Sequence, residues 1–131
     1  LADVPAGLNA SPIVRLAQAR LAIAEGRWYD AEAMLAHLLS EEQISGNVDR
    51  IAYLTNLLGG AISKQGRLAE SVVLFKEATA LLPDTAQYWY DLGIAYQQIG
   101  QIADAQAALE KAISLHPGYV AALSALEELN P

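Results

Sequence analysis

Apolar residues recur along the chain at helical spacing, broken at intervals by glycine or proline. Three stretches, EGRWYDAEAML, QGRLAESVVLF and IGQIADAQAAL, repeat one arrangement in which a helical pattern ends, a glycine follows and a second pattern begins. The periodicity predicts helices near 12–25, 28–40, 48–65, 68–82, 85–99, 102–115 and 118–129. Gly26, Gly66 and Gly100 fall just past a helix, where glycine adopts a left-handed backbone at least cost. Pro83-Asp84 and Pro117-Gly118 close the later helices, with Asp84 placed to cap the next one. Ser11-Pro12 reads as an N-cap followed by proline in the first turn. Residues 1–11, with Pro5, Gly7 and Asn9 and no periodicity, read as a leader or linker.

Gly66 and Gly100 lie 34 positions apart, and Gly26 lies 40 before Gly66. A fixed period of this size marks stacked units that bury their apolar faces only against neighbours. The seven segments pair as three hairpins with one helix left over. The units run over about 12–47, 48–85 and 86–119 of a single domain at 12–131, closed by a last helix at 118–129. The six extra residues of the first unit fall in SEEQISGNVD, where Ser45, Gly46 and Asn47 read as a lengthened loop.

In the third unit Trp89, Leu92, Gly93 and Tyr96 stand at the spacing W-x2-L-G-x2-Y, followed by Ala105, Leu109, Ala112 and Pro117. This unit closely resembles the tetratricopeptide repeat. The second unit keeps Leu58, Gly59, Phe75, Ala78 and Pro83, and departs at Thr55, Ile62 and Ser71. The first keeps only Ala19, Gly26, Ala31 and Leu35, with Arg15, Gln18 and Ala22 where tryptophan, leucine and tyrosine would stand. The resemblance implies an all-α, right-handed α-solenoid of three hairpins plus a C-terminal capping helix. Glu127 takes the position of Gly59 and Gly93, where it would obstruct another close helix, so the last helix reads as a cap.

The resemblance also implies a concave groove, lined by the first helix of each hairpin, that takes a peptide or protein segment. Its lining would be Arg20, Tyr53, Asn56, Lys64, Tyr90, Ile94, Gln97 and Gln98, with Ile23, Gly60 and Ser124 beside them. Helical spacing supports this locally: Asn56, Gly60 and Lys64 share one face, as do Gln87, Tyr90, Ile94 and Gln97. Tyr53, Tyr90 and Ile94 offer apolar area worth roughly 1.5–3 kcal/mol each when buried. Family members that clamp a C-terminal carboxylate use lysine, arginine and asparagine. The matching positions here are Leu16, Arg20, Asn56, Gln87 and Asp91, and Asp91 would repel such a tail.

Composition narrows the function further. The 131 residues carry a formal net charge of −7, which argues against nucleic acid and against anionic membrane surfaces. No apolar run is long enough for membrane insertion, so the chain reads as soluble, cytoplasmic or periplasmic. There is no cysteine, hence no disulfide or thiolate metal site. His37 and His116 stand apart with no partner at metal-ligand spacing, and no cofactor motif occurs. Trp28 and Trp89 read as core anchors, and Glu41-Glu42 as solvated helix-end charges. No nucleophile–base pair is present, so the reading is a protein-interaction scaffold, not an enzyme. Two alternatives stand beside it. The start at Leu1 suggests a processed product or excised fragment. As part of a longer array, the chain could self-associate through Ile13, Val14 and Leu16 of the first hairpin, or organise an envelope or secretion complex. It could also be the targeting module of a larger enzyme.

Overall fold

A computed structural model of the chain describes residues 11–130, so the leader reading for residues 1–10 lies outside the described residues. Among the described residues the chain is all helix: α1 Pro12–Ala24, α2 Trp28–Ser45, α3 Val48–Ser63, α4 Leu68–Leu81, α5 Ala86–Gln98, α6 Ile102–Leu115 and α7 Val120–Leu129. Each helix packs chiefly on its neighbours in the chain, as expected of a solenoid. No described helix is long and apolar enough to cross a membrane.

The hairpin turns are built alike. Gly26, Gly66 and Gly100 take φ of 75°, 82° and 81°, and the next residue's N–H reaches back to the helix, Arg27 to Ala22 O, Arg67 to Ile62 O and Gln101 to Tyr96 O. Those bonds satisfy carbonyls that a helix end otherwise leaves open. At the start of α1, the Ser11 hydroxyl accepts from the Val14 N–H at 3.3 Å.

Small residues set the helix spacing within each hairpin. A Cβ on Gly93 would stand 2.8 Å from Leu109 Cγ, and one on Gly59 would stand 3.0 Å from the Phe75 ring. In the second and third hairpins the second helix therefore lies almost on the backbone of the first. Ala19, Ala31, Leu35, Ala105 and Leu109 are fully buried at these seams.

The first unit reaches the same fold without the aromatic residue. The Arg15 guanidinium donates to both Glu41 carboxyl oxygens at 2.7 and 2.9 Å, joining α1 to the far end of α2. The Glu41 pKa falls accordingly, through that hydrogen bond first and the charge second. The expected loop at Ser45–Asn47 is overturned in the same helix. The extra residues lengthen α2 to Ser45, and only Gly46 and Asn47 separate it from α3. Gly46 ends α2 in the left-handed conformation, and the Asn47 side chain caps α3 by accepting from the Arg50 N–H at 3.0 Å. Glu42 pairs with Arg50 at 3.4 Å, so neither glutamate is the solvated end charge that the sequence suggested.

Two other details differ from expectation. Asp84 does not cap α5; Thr85 occupies the cap position and makes no side-chain bond there. The first two units are also tied together by Glu32 of α2, which accepts from Arg67 at 2.9 Å and from Gln65 at 2.8 Å. At the N-terminal end Ile13 and Leu21 of α1 stay exposed, whereas Leu16 packs against the core.

Candidate functional site

α3 sorts its residues by face. Leu54, Leu58, Ala61 and Ile62 pack into the core, while Asn56, Gly60 and Lys64 follow one another a turn apart on another side. α1 and α5 lie on either side of α3, contributing Ile23 and then Gln87 and Asp91. Between them opens a cleft of about 260 Å³, closed at one wall by Trp28 and floored by Leu57, Ala61 and Phe75. Gly60 deepens it, because nothing lies within 4 Å of where its Cβ would be. Lys64 Nζ stands 6.0 Å from the Trp28 ring centroid, at the outer edge of cation–π attraction.

The polar heart of the cleft is Asn56 and Asp91. Asn56 is only 7% exposed, and its Nδ2 makes no hydrogen bond of proper geometry within the chain. Its side chain nevertheless faces the Asp91 carboxyl and draws that pKa downward. Burial acts the other way and wins, lifting Asp91 to about 6. Tyr88 and Tyr119 are also pushed up, first by burial and then by neighbours that include Asp91. Tyr119 stacks on Tyr90 with ring centroids 5.2 Å apart and on His116 at 5.4 Å.

The expected groove residues separate into three groups. Asn56 and Lys64 line the cleft, together with Ile23 and Gly60. Tyr90 and Ile94 lie on another side of α5 and pack, with Tyr119, against α6 and α7. Arg20, Tyr53, Gln97 and Gln98 lie outside the cleft. Arg20 is exposed on α1, and Tyr53 and Gln97 are half-buried. Gln98 accepts from the Ser63 hydroxyl at 3.4 Å, bridging α5 to α3. Sequence reasoning missed the apolar floor of the cleft and two of its other members. Trp28 was expected in the core yet forms a cleft wall, and Asp91 was read only as an obstacle to acidic tails. The available signal for Asp91 was its place one turn beyond Gln87, on the same helix face.

A second hollow, about 420 Å³, lies between α4, α5 and α6 and is lined by Lys76, Thr79, Trp89, Tyr96, Asp104 and Lys111. Two of its polar groups find partners within the chain. The Trp89 indole N–H donates to Pro83 O at 2.8 Å, and the Thr79 hydroxyl donates to Lys76 O at 2.8 Å. Among the described residues, the Asn56 amide is the buried side-chain group left without a partner, and it sits in the first cleft. No described cluster of histidine and carboxylates could hold a metal ion.

The model of the tetratricopeptide repeat family matches residues 49–118, which is 70 of the 131 positions. Comparison with curated proteins returns no match. Among solved structures, the chain is similar to the first such domain of Spaghetti (RPAP3) bound to the HSP90 peptide SRMEEVD. That match has a TM-score of 0.81 and 15% identity, covering 90% of this chain and 89% of the other. It is similar to the Yersinia enterocolitica type III secretion chaperone SycD, in complex with a peptide of the translocator YopD, at TM-score 0.79 and 16% identity, covering 92% and 94%. The Thermobaculum terrenum O-GlcNAc transferase matches at TM-score 0.77 and 28% identity, with 90% of this chain aligned to 22% of that one. The family match begins at the second unit, where Gly59 and Gly93 start to set the hairpin spacing, and it spans more than half the chain. The chain therefore belongs to the tetratricopeptide repeat family.

Proposed function

We propose that the chain is a protein-interaction scaffold that holds a segment of a partner polypeptide in the cleft between α1, α3 and α5. The buried, unpaired Nδ2 of Asn56 carries this reading. A buried donor without an acceptor costs about 1–3 kcal/mol, and a ligand carbonyl would relieve that cost. The walls around it are apolar, so a segment seated there gains from burial as well as from the hydrogen bond. Peptides bound to RPAP3 and to SycD, on the same fold, support the reading. The ligand-holding residues in the cleft would be Asn56 and Lys64, with Tyr90, Ile94, Arg20, Tyr53, Gln97 and Gln98 as flanking contacts for a segment that runs beyond it. The module would act by binding alone, with no chemistry or cofactor of its own.

The test is a double variant, Asn56→Ala with Tyr90→Ala. Peptides captured by the wild-type chain from a display library should bind the variant at least about tenfold more weakly, a loss of about 1.4 kcal/mol. Circular dichroism should show the same helical content in both proteins. Equal affinity in a folded variant would contradict the groove.

A further inference from the structure

We propose that the cleft selects a cationic side chain, lysine or arginine, on the partner segment and seats it against Asp91, while Asn56 takes a backbone carbonyl of the same segment. The inference rests on the peptide-binding reading and names the chemistry of the ligand.

The argument begins with how this chain treats its carboxylates. Glu32 and Glu70 pair with Arg67, Glu41 with Arg15, Glu42 with Arg50, and Glu25 and Asp30 with Arg27, while carboxylates outside these ion pairs, such as Asp49, Glu77, Asp84, Asp104 and Glu110, lie exposed to water. Asp91 is buried enough to lose much of its hydration, yet the influences on it are burial and the neutral Asn56 amide, with no cation among them. The groups facing it from each packed element are neutral or acidic. α3 presents Asn56, and Tyr88 of α5 and Tyr119 at the start of α7 lie within electrostatic reach of the carboxyl. Lys64 shares the cleft but stands over Trp28. A negative charge in an apolar cleft attracts a cation far more strongly than one in water does.

The surroundings suit a cation in two further ways. Tyr119 lies within electrostatic reach of Asp91 and brings an aromatic ring, not a competing cation, to that side of the site. The donor on Asn56 and the acceptor on Asp91 also complement one ligand residue, carbonyl to the first and charged side chain to the second. The arrangement is opposite in sign to a carboxylate clamp. The net charge of −7 would speed the encounter with a basic segment without deciding where it docks. Because Asp91 becomes neutral below about pH 6, the preference should fade on acidification.

The probe is a library of random dodecapeptides displayed on phage, selected on the wild-type chain near neutral pH at about 0.15 M salt. The expected result is lysine or arginine fixed at one position of the selected peptides. Replacing that lysine by norleucine in a synthetic peptide should weaken binding at least about tenfold. Asp91→Asn, which removes one charge of many, should bind the lysine and norleucine peptides alike. Selected peptides without a fixed cation, or an Asp91→Asn protein that keeps the lysine preference, would overturn the inference. In either case the groove reading survives if the peptides lose affinity for the Asn56→Ala, Tyr90→Ala variant. Peptides indifferent to that variant, or no selected peptides at all, would overturn both.

Discussion

Asp91 shows what a single residue contributes to binding and to stability. Its folded pKa of about 6 lies above the ordinary aspartate value of 3.8, so the folded chain holds this proton more tightly than the unfolded chain does. The ionised group therefore opposes folding, fully so above about pH 6, and the penalty shrinks as pH falls through 6 toward 4. Asp91→Asn should raise the unfolding free energy by about 2 kcal/mol near pH 7.5 and by little near pH 4, measured by denaturant titration at both. An equal effect at the two pH values would show that the carboxyl is not desolvated. Glu41 and Glu70 behave oppositely. Their pKa values are held down by Arg15 and Arg67, so their contribution is present above the ordinary glutamate range and lost on acidification. In the sequence, Asp91 stood only as a position that would repel an acidic tail, with its spacing from Gln87 as the unused signal; its desolvation depends on α3 and α5 coming together. No local pattern records that.

Within the helices, the small residues divide between packing and opening. Gly93 exists for a close approach, since an added methyl meets the immobile, fully buried Leu109. Gly60 faces the cleft with free space around it. Gly93→Ala should destabilise the fold by about 1–3 kcal/mol through overpacking. Gly60→Ala should stabilise α3 by about 0.5–1 kcal/mol through helix propensity while narrowing the cleft and weakening peptide binding. Thermal melts and binding assays on the two variants check the contrast, and destabilisation by Gly60→Ala would contradict the open cleft. The hairpins were readable because their glycines and apolar positions are local signals. The length of α2 was not. Periodicity located six extra residues, but the contacts that accompany their winding, Arg15 to Glu41 across 26 positions and Arg50 to Glu42, are not local signals. Trp28 was misplaced for a similar reason: at the first position of α2 it faces the gap between helices rather than a seam.

For the whole molecule, stacking puts α1, α3 and α5 side by side to form one hollow and leaves another between α4, α5 and α6. The two differ in chemistry more than in size. One holds a buried amide donor beside a carboxyl that has no cation against it, and the other has its indole N–H taken up by Pro83. The central claim is that the first is the binding surface. Its most direct test is a titration of isotope-labelled protein with a display-selected peptide, followed by amide and side-chain NMR shifts. The account predicts that the largest changes fall on Ile23, Asn56, Gly60, Lys64, Gln87 and Asp91. Changes centred instead on Lys76, Trp89, Tyr96 and Lys111 would contradict it.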